Sequence, residues 1–565
     1  MSFNIFHILA IFWLIRTVKI ILFYLYLWQL KEYHIGRFFD HFRTEKGKKT
    51  LFHKLNFSKI LLLFYFLSFP YFLIYLTNFP SLNLIPFISP KIIFLVLYYL
   101  FPFLLLVLYL FEGLRTFLDF AKKRIKIPVI TKKMIFLIFS VIIFEVGVIF
   151  SLLYFEKDLN FFVFWLLIFD LSLPLIITVI VLIFQPFAVL SKCLIIRKAK
   201  RKREIFKNLL VIGITGSYGK TSTKEFLYTI LSRKFNVLKT KEHQNSEIGI
   251  SQCILKDLKP EHEIFIVEMG AYGRGGIKLL CDIVKPKIGI LTGINEQHLA
   301  LFGSQKNIIR AKYELIEALP DNGLAIFNGD NKYCLDLYNK TEKPKKISSS
   351  RPKPSNFIPG IWAENVIVQR NYVFFKACTP EECINLKVYL SGDHFISNLL
   401  ATIYVAQELG MKTEKIVEGC FKIEPAKNTM NLFKGINGLI IIDDSYSANP
   451  EGVIAALDYL KVYGGRKMII MPCLIELGRT AKEMHKKIGE KIGETCDAVI
   501  VTTKDYFREI GEGFLEKGKK EENVLFSEDP KEIFEIIKKF WGPGDIVLLE
   551  GRVPKKLIDF LVNSK

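Results

Sequence analysis

Five stretches of this chain, residues 4–30, 60–77, 92–111, 134–155 and 161–184, are nearly unbroken runs of Leu, Ile, Phe, Tyr and Val. A helix rising about 1.5 Å per residue needs about 20 apolar residues to cross a hydrocarbon core about 30 Å thick. All five runs are near that length. In lipid every backbone polar group must be satisfied within the segment, which leaves the helix as the available form. Residues 1–190 are therefore expected to be an α-helical membrane bundle. The first run is too long for the apolar part of a secretory leader, and no small-residue cleavage site follows it, so it is expected to stay in the mature protein.

The chain has 565 residues and a net charge of +22, a balance that suits nucleic acid or anionic lipid. The placement of the charge decides between them. Segments 31–54, 113–133 and 192–203 hold seven Lys or Arg each, whereas 78–91 and 156–160 hold one Lys each. That alternation follows the positive-inside rule. It puts the three basic loops, and everything after Arg203, on the cytoplasmic side of the cell membrane, with membrane lipid and not nucleic acid as the partner. "RKAKRKR" (197–203) reads as a stop-transfer flank against anionic lipid, in a basic linker over 191–208. Two arrangements fit. Five spans place the N-terminus outside. Four spans leave 4–30 as an interfacial hairpin with Arg16 and Lys19 snorkelling. With five spans, Arg16, Lys19, Glu145 and Asp170 fall at similar depth, where a central Arg, Lys or Asp costs about 2.5–3.5 kcal/mol. Such charges are expected to pair inside the bundle. Nine cysteines are scattered with no CxxC pair, which points to reduced thiols and away from a zinc or disulfide framework.

Beyond Arg203 the composition is that of a soluble α/β protein. "VIGITGSYGKTSTKEFLYTIL" (211–231) reads as a buried strand, a glycine-rich turn and a helix. Backbone N–H groups of such a turn, with the helix N-terminus, cradle phosphates. Thr215, Gly216, Ser217, Gly219 and Ser222 form that cradle. Lys220 is placed to reach the β- and γ-phosphates and Thr221 to hold Mg²⁺. The strict GxxxxGK[ST] pattern fails because position 214 is Ile; the shorter TGxxGKT form is present. Two apolar strands, "EIFIVEM" and "IGILTGINEQH", run into Glu268 and His298. Strand C-termini of an open α/β sheet converge on the ligand crevice, so both residues are candidate ligands for metal bridging phosphate and carboxylate oxygens. Lys312 lies on an amphipathic helical stretch, "IIRAKYELIEAL", where spacing alone makes it a solvated charge. Asn398 opens a helix. "DSYSANP" (444–450) is a good turn, and His485 sits on a helix, where a surface histidine is one of two readings left open. The strands "GLIIIDD", "KMIIMPC", "DAVIVTT" and "DIVLLEG" alternate with helices, which predicts a parallel Rossmann-like sheet over 435–565. It follows a P-loop ATPase-like central domain over 209–434.

Taken together, "TGSYGKTST" (215–223), "QNSEIGIS" (244–251), "FIVEMGAYGRGGI" (265–277), "GINEQHLALFGSQKNIIRAKYELI" (293–316), "SGDHFISN" (391–398), "IIDDSYSANP" (441–450) and "IELG" (475–478) ahead of His485 resemble the Mur ligase family. That family joins amino acids or peptides to bacterial cell-wall precursors. The resemblance covers about 209–565 and leans to the branch that adds D-alanyl-D-alanine to a muramoyl-peptide. It implies ATP and Mg²⁺ as cofactors, an acyl-phosphate route, and a catalytic set of Lys220, Glu268, His298 and Lys312. It places Lys312 beside the γ-phosphate, carbamylated in several members, and Asn398 on the nucleotide. It puts Asp444 on the ribose, with Tyr446 and Asn449 on the adenosine side. The implied partners are a small-molecule or lipid-linked muramoyl-peptide and an amine or dipeptide donor. Three features depart from the family. Asn428-Thr429 stand where a Gly-Arg pair is usual. Glu550 in "LLEGRVPKK" stands where a positive charge is usual, and the helical bundle takes the place of a small UDP-sugar domain. Two further readings stay open: a membrane-associated amino-acid polymer ligase of polyglutamate type, and a non-catalytic nucleotide-binding membrane protein.

Overall fold

A computed structural model of the chain describes residues 5–31, 33–44, 47–48, 50, 54–78, 90–122, 124–242, 244–350, 359–424, 430–445 and 448–563. The chain divides into two compact units, Met1–Ser191 and Lys192–Lys565.

The first unit is helical. Its long helices are Ile5–Leu30, Lys54–Asn78, Pro90–Ala121, Lys132–Phe155 and Leu159–Ile183. Each apolar run of the sequence lies on one of them. Among the described residues, four helical stretches are long and apolar enough to cross a membrane: Phe6–Leu30, Leu95–Ala121, Lys132–Phe155 and one starting at Leu159. Leu55–Phe69 is a shorter apolar stretch. The unit is inverted relative to a water-soluble bundle. Phe117, Phe139, Ile143 and Phe150 point outward with 60% or more of their surface exposed, while Arg16, Lys59, Glu112, Glu145 and Asp170 are buried.

Charge pairing inside this unit differs in detail from the expectation. Arg16 does pair with Asp170, and also with Glu112. The other cation of the cluster is Lys59, whose ammonium lies 2.7 Å from Glu112 and 2.9 Å from Asp170. Lys19 turns to Asp119 at a more exposed position, 2.6 Å away. Among the described residues Glu145 forms no ion pair, and it accepts a hydrogen bond from the Thr17 hydroxyl at 3.2 Å. Lys59 and Glu112 lie outside or at the margin of the apolar runs, so a depth argument along single runs could not find them.

The second unit begins with the end of the Gln185–Ile205 helix. Residues 192–205 are therefore helical and not an open linker. Arg203 is buried, and its guanidinium donates to the carbonyls of Val284, Phe206 and Leu209 at 2.9, 2.7 and 3.2 Å. One residue of the basic run thus serves the fold.

Two sheets follow. The first holds β1 (Leu210–Thr215), β2 (Val237–Lys239), β3 (Ile264–Glu268), β4 (Ile288–Leu291), β5 (Leu324–Asn328), β6 (Lys345–Ser349), β7 (Ile361–Val368), β8 (Val373–Cys378) and β9 (Cys383–Val388). Its order is β2-β3-β1-β4-β5-β6-β7-β8-β9. Pairing is parallel from β2 to β7 and antiparallel in the β7–β8–β9 meander. β1, β3 and β4 are apolar over nearly their whole length and buried, as parallel strands covered on both faces must be. The second sheet holds β10 (Asn431–Lys434), β11 (Ile440–Asp444), β12 (Lys467–Met471), β13 (Ala498–Val501), β14 (Val524–Phe526) and β15 (Ile546–Glu550), in the order β10-β11-β15-β12-β13-β14. All its pairs are parallel except the β10 edge.

One cysteine expectation is corrected. Cys378 and Cys383 stand opposite each other in the β8–β9 hairpin, Cα atoms 4.0 Å apart, and form a disulfide. A hairpin register brings together cysteines whose spacing in sequence is no pairing signal. Seven other cysteines are free.

Candidate functional site

β1 is an interior strand of the first sheet, between β3 and β4. The chain leaves it through Gly216–Gly219 and enters the Lys220–Leu231 helix. Thr215 is buried and its hydroxyl donates to the Met269 carbonyl at 3.0 Å. A Cβ on Gly216 would lie 2.1 Å from the Thr292 hydroxyl. The Ser217 amide donates to the Gly293 carbonyl at 2.7 Å, and its hydroxyl accepts from the Asn295 amide at 3.2 Å. Gly219 caps the helix at φ +75°, and a Cβ there would meet the Asn398 carboxamide at 2.8 Å. Asn398 sits buried in the first turn of the Ile396–Glu408 helix, with its side chain against the loop; the N-cap of that helix is Phe395.

These elements line one cleft of about 280 Å³. Ser217, Gly219, Lys220, Thr221, Ser222, Glu268, His298 and Asn398 form its first wall, with Asn245 and His394. Asp444, at the end of β11, with Asn449 and Glu451 from the segment that follows, forms the second. Thr215 and Gly216 support the loop from behind. Tyr446 and Asn428-Thr429 lie outside the described residues.

Glu268 is the last residue of β3. One carboxylate oxygen takes a hydrogen bond from Thr221 at 3.1 Å and faces Lys224 at 3.3 Å; the other accepts from Asn245 at 3.2 Å. Burial works to raise this carboxyl. The Lys224 and Lys220 ammoniums, helped by Asn245 and Thr221, outweigh it and hold the group below its ordinary value. Lys220 curls back to the carbonyls of Gly216 and Ser217 at 2.8 and 3.2 Å. Burial lowers its pKa against the pull of Glu268.

His298 does not end a strand. It sits seven residues past β4 at φ +67°, as N-cap of the short Leu299–Phe302 helix. Its Nδ1 contacts the Glu476 carboxylate, and the Ala300 amide donates to the Glu476 carbonyl at 3.1 Å. Burial lowers the imidazole pKa; Glu476 raises it, and Lys312 and Lys220 lower it further. The ring is therefore neutral at neutral pH. A second bridge joins the walls where the Asn295 carboxamide donates to Asn449 at 3.3 Å and to Glu451.

Lys312 is buried on the Gln305–Glu317 helix, not solvated. Burial, then the charge of Lys220, brings its pKa down to about 7. Asn449 caps the Pro450–Leu460 helix by accepting from the Gly452 amide at 3.1 Å. His485 is also not a surface group. It is fully buried, accepts from the Leu474 amide at 2.8 Å and bonds the Ala481 carbonyl at 2.6 Å, which fixes the loop after β12.

The donor set suits magnesium. Thr221 and Glu268 offer adjacent oxygens, one of them an ionised carboxylate, and Mg²⁺ takes few protein oxygens and completes its shell with phosphates and water. Among the described residues no cluster of three or more His, Cys, Asp or Glu forms a self-sufficient metal cage. Sequence reasoning missed Lys224, Glu451 and the pairing of Glu476 with His298. Lys224 had a signal, lying one helical turn beyond Lys220. The two inter-wall contacts had none.

Known proteins resemble this arrangement. Residues 214–406 match the Mur ligase middle domain and 430–553 the Mur ligase, glutamate ligase domain, together more than half of the chain. The UDP-N-acetylmuramoyl-tripeptide–D-alanyl-D-alanine ligase of Synechocystis sp. is 33% identical over 50% of this chain, and that of Escherichia coli is 29% identical over 50%. The chain spans 59% and 61% of those relatives' lengths. Among solved structures, MurF from Acinetobacter baumannii superposes with a TM-score of 0.59 at 25% identity, covering 65% of this chain and 80% of that one. MurF ligase from Thermotoga maritima in complex with ADP superposes with a TM-score of 0.57 at 26% identity, covering 66% and 83%. By its two α/β segments and the fold they share with MurF, this chain belongs to the Mur ligase family.

Proposed function

We propose that this chain is an ATP-dependent amide ligase of peptidoglycan precursor synthesis, held in the cytoplasmic membrane, which adds D-alanyl-D-alanine to a muramoyl-tripeptide. The observation that carries the reading is the meeting of the Gly216–Gly219 loop, Glu268 and His298 on one cleft, with Lys312 near enough to feel the charge of Lys220. The named function of the Synechocystis and Escherichia coli relatives supplies the substrates. In this reading residues 209–434 are a P-loop-like ATP domain and 435–565 a Rossmann-like domain.

The reaction has two steps. An oxygen of the acceptor carboxylate attacks the γ-phosphorus of ATP, the bond to the β-phosphate oxygen breaks, and an acyl phosphate and ADP result. The donor amine then attacks the acyl carbon, the bond to the phosphate oxygen breaks, and inorganic phosphate and the amine proton leave. Gly219 and the amides of the following helix receive the phosphates. Lys220 exchanges its loop carbonyls for phosphate oxygens, and Lys312 supplies charge near the γ-phosphate. Thr221, Glu268 and the neutral His298 would hold Mg²⁺, which offsets phosphate charge when bound. Asn398 and Asn449 bound the nucleoside end. Contacts such as Asn295–Glu451 and His298–Glu476 join the walls, so closure excludes water from the acyl phosphate.

The membrane assignment rests on the inverted first unit, apolar outside and charged within, and on the alternation of basic loops. The test is phosphate release by the detergent-solubilised protein with ATP and Mg²⁺, with and without UDP-muramoyl-tripeptide and D-alanyl-D-alanine, with mass analysis of the product. Stimulated release and a pentapeptide product support the reading. ATP turnover indifferent to any amine refutes it, and a product lengthened by several residues assigns a polymer ligase instead. A chain starting at residue 192, which keeps Arg203, tests the bundle: an unchanged rate on the soluble precursor makes it an anchor only.

A further inference from the structure

The outer face of the β7–β8–β9 meander carries aromatic groups that no step above uses. Ile367 pairs in register with Phe374, and Phe374 with Lys387, so the three side chains project to one face. The other face, with Val373, Phe375, Leu386 and Val388, is buried in the core. Tyr372 and Tyr389 continue the outer face, their ring centres 6.0 Å apart. Phe421, the last residue of the Thr413–Phe421 helix, adds a ring 5.4 Å from Tyr389. Ile367, Tyr389 and Phe421 are 55%, 38% and 48% exposed. The Lys387 ammonium lies 4.4 Å from the Tyr372 ring centre, 5.4 Å from Phe374 and 5.9 Å from Tyr389. Arg370 is exposed in the turn between β7 and β8, and among the described residues neither it nor Lys387 forms an ion pair.

Strand direction locates this face. β9 runs antiparallel to β8 and β8 to β7, while β7 is parallel to the strands of the cleft. Arg370, Tyr372 and Tyr389 therefore stand at the edge where the parallel strands end, the edge on which Glu268 closes β3. The chain enters the second unit at the same edge. The Lys192 ammonium lies 3.3 Å from Glu247, two residues from Asn245, which lines the cleft and donates to Glu268. Arg203, about 16 Å further along the helix, bonds the carbonyls of Leu209 and Val284, ahead of β1 and β4. The helix thus enters at the cleft edge and runs away from it.

A contiguous exposed aromatic patch marks a contact surface. Tyr and Phe beside Lys and Arg suit the headgroup level of a bilayer, where rings enter the acyl boundary and cations meet lipid phosphates. The alternation of basic loops puts this unit on the cytoplasmic side, where the leaflet is anionic. Single-stranded nucleic acid also stacks on rings beside cations, but a membrane-held chain that enters at this edge favours the lipid. We propose that the outer face of the β7–β8–β9 meander, with Arg370, Tyr372, Lys387, Tyr389 and Phe421, docks on the anionic surface of the membrane that holds the chain. Lys387 and Arg370 take lipid phosphates, the rings displace interfacial water, and the edge that bears the cleft is kept at headgroup level. This rests on the membrane part of the reading above and not on ligation.

The test is lysine acetylation of the full chain by a water-soluble active ester, read by peptide mass analysis. The chain is held in lipid discs of phosphatidylcholine alone, or of equal parts phosphatidylcholine and phosphatidylglycerol. Lys387 is expected to react roughly fivefold more slowly in the anionic discs. Lys285, exposed at the opposite edge between the Gly276–Val284 helix and β4, should react equally in both. Arg370→Glu, which removes a phosphate contact, and Phe421→Ser, which removes a ring that does not touch Lys387, should each restore most of the Lys387 rate in anionic discs with the melting temperature unchanged. Equal labelling of Lys387 in both discs, or full protection in both variants, overturns the surface. Stronger protection by single-stranded RNA in neutral discs than by anionic lipid assigns nucleic acid instead, and protection that follows the number of chains per disc assigns a second copy; either result overturns the lipid. A chain that does not enter the discs overturns the membrane reading as well, whereas absence of ligation leaves this surface standing.

Discussion

Replacing Lys312 by methionine is expected to give a protein that is more stable and inactive. The Lys312 side chain is buried, and its pKa falls from 10.5 to about 7. One pKa unit corresponds to about 1.4 kcal/mol, so keeping this charged group in the fold costs on the order of 4 kcal/mol at neutral pH. Between about pH 7 and the ordinary lysine value the unfolded chain binds more protons than the folded one. Stability therefore rises with pH across that window. Below it the lysine is charged in both states and the full cost applies. Methionine has similar length and no charge, and it removes the cost. The assay is thermal unfolding of the detergent-solubilised protein at several pH values. At about pH 6.5 the variant should melt higher than wild type, by about 2–4 °C for each kcal/mol regained in a domain of this size. The gap should narrow by about 1.4 kcal/mol per pH unit above neutrality. Amine-stimulated phosphate release should fall to background. A gap independent of pH, or a variant less stable than wild type at the acidic end, refutes the argument.

Glu268→Gln should flatten the acid side of the stability curve. The carboxyl of Glu268 is held below its ordinary value, so its contribution is present above that ordinary value and is lost as the pH falls through the folded one; urea midpoints against pH read this. Gly219→Ala imposes a left-handed conformation costing about 1–2 kcal/mol and drives a methyl into the Asn398 carboxamide; calorimetry should show ADP affinity reduced at least tenfold. Arg16→Met leaves Glu112 and Asp170 facing Lys59 alone, a loss of about 3–5 kcal/mol for a broken buried pair. Monodisperse yield in detergent should drop, and the double exchange Arg16→Asp with Asp170→Arg should recover part of it.

Much of the site was legible because its chemistry is local. "TGSYGKTST" specifies a turn and a helix start within nine positions, and the structure places Ser217, Gly219, Lys220, Thr221 and Ser222 on the cleft. Glu268 was legible as the polar end of an apolar strand. The burial of Lys312 was not legible, because an amphipathic helix gives no sign of which lysine its own neighbours will bury. His485 stayed undecided for the same reason: its partners, Leu474 and Ala481, bury it through a loop that folds over the helix. The Cys378–Cys383 bond depends on a hairpin register that spacing does not encode.

By itself the sequence determined the two kinds of structure in this chain. Apolar run length separates a helical bundle from an α/β part, because long unbroken apolar runs fit helices and short ones alternating with amphipathic stretches fit strands and their crossover helices. It also determined the glycine-rich turn after β1, since backbone geometry there depends on glycines a few residues apart. Only tertiary structure decided which charges meet. Arg16 and Lys59 share Glu112 and Asp170 across helices, His298 meets Glu476 from the second sheet, and Glu550 stands beside Asp444 because β15 inserts between β11 and β12. Partners separated by tens to hundreds of residues are selected by packing and strand order, and a charge acquires its value only once burial has removed the water that would have screened it.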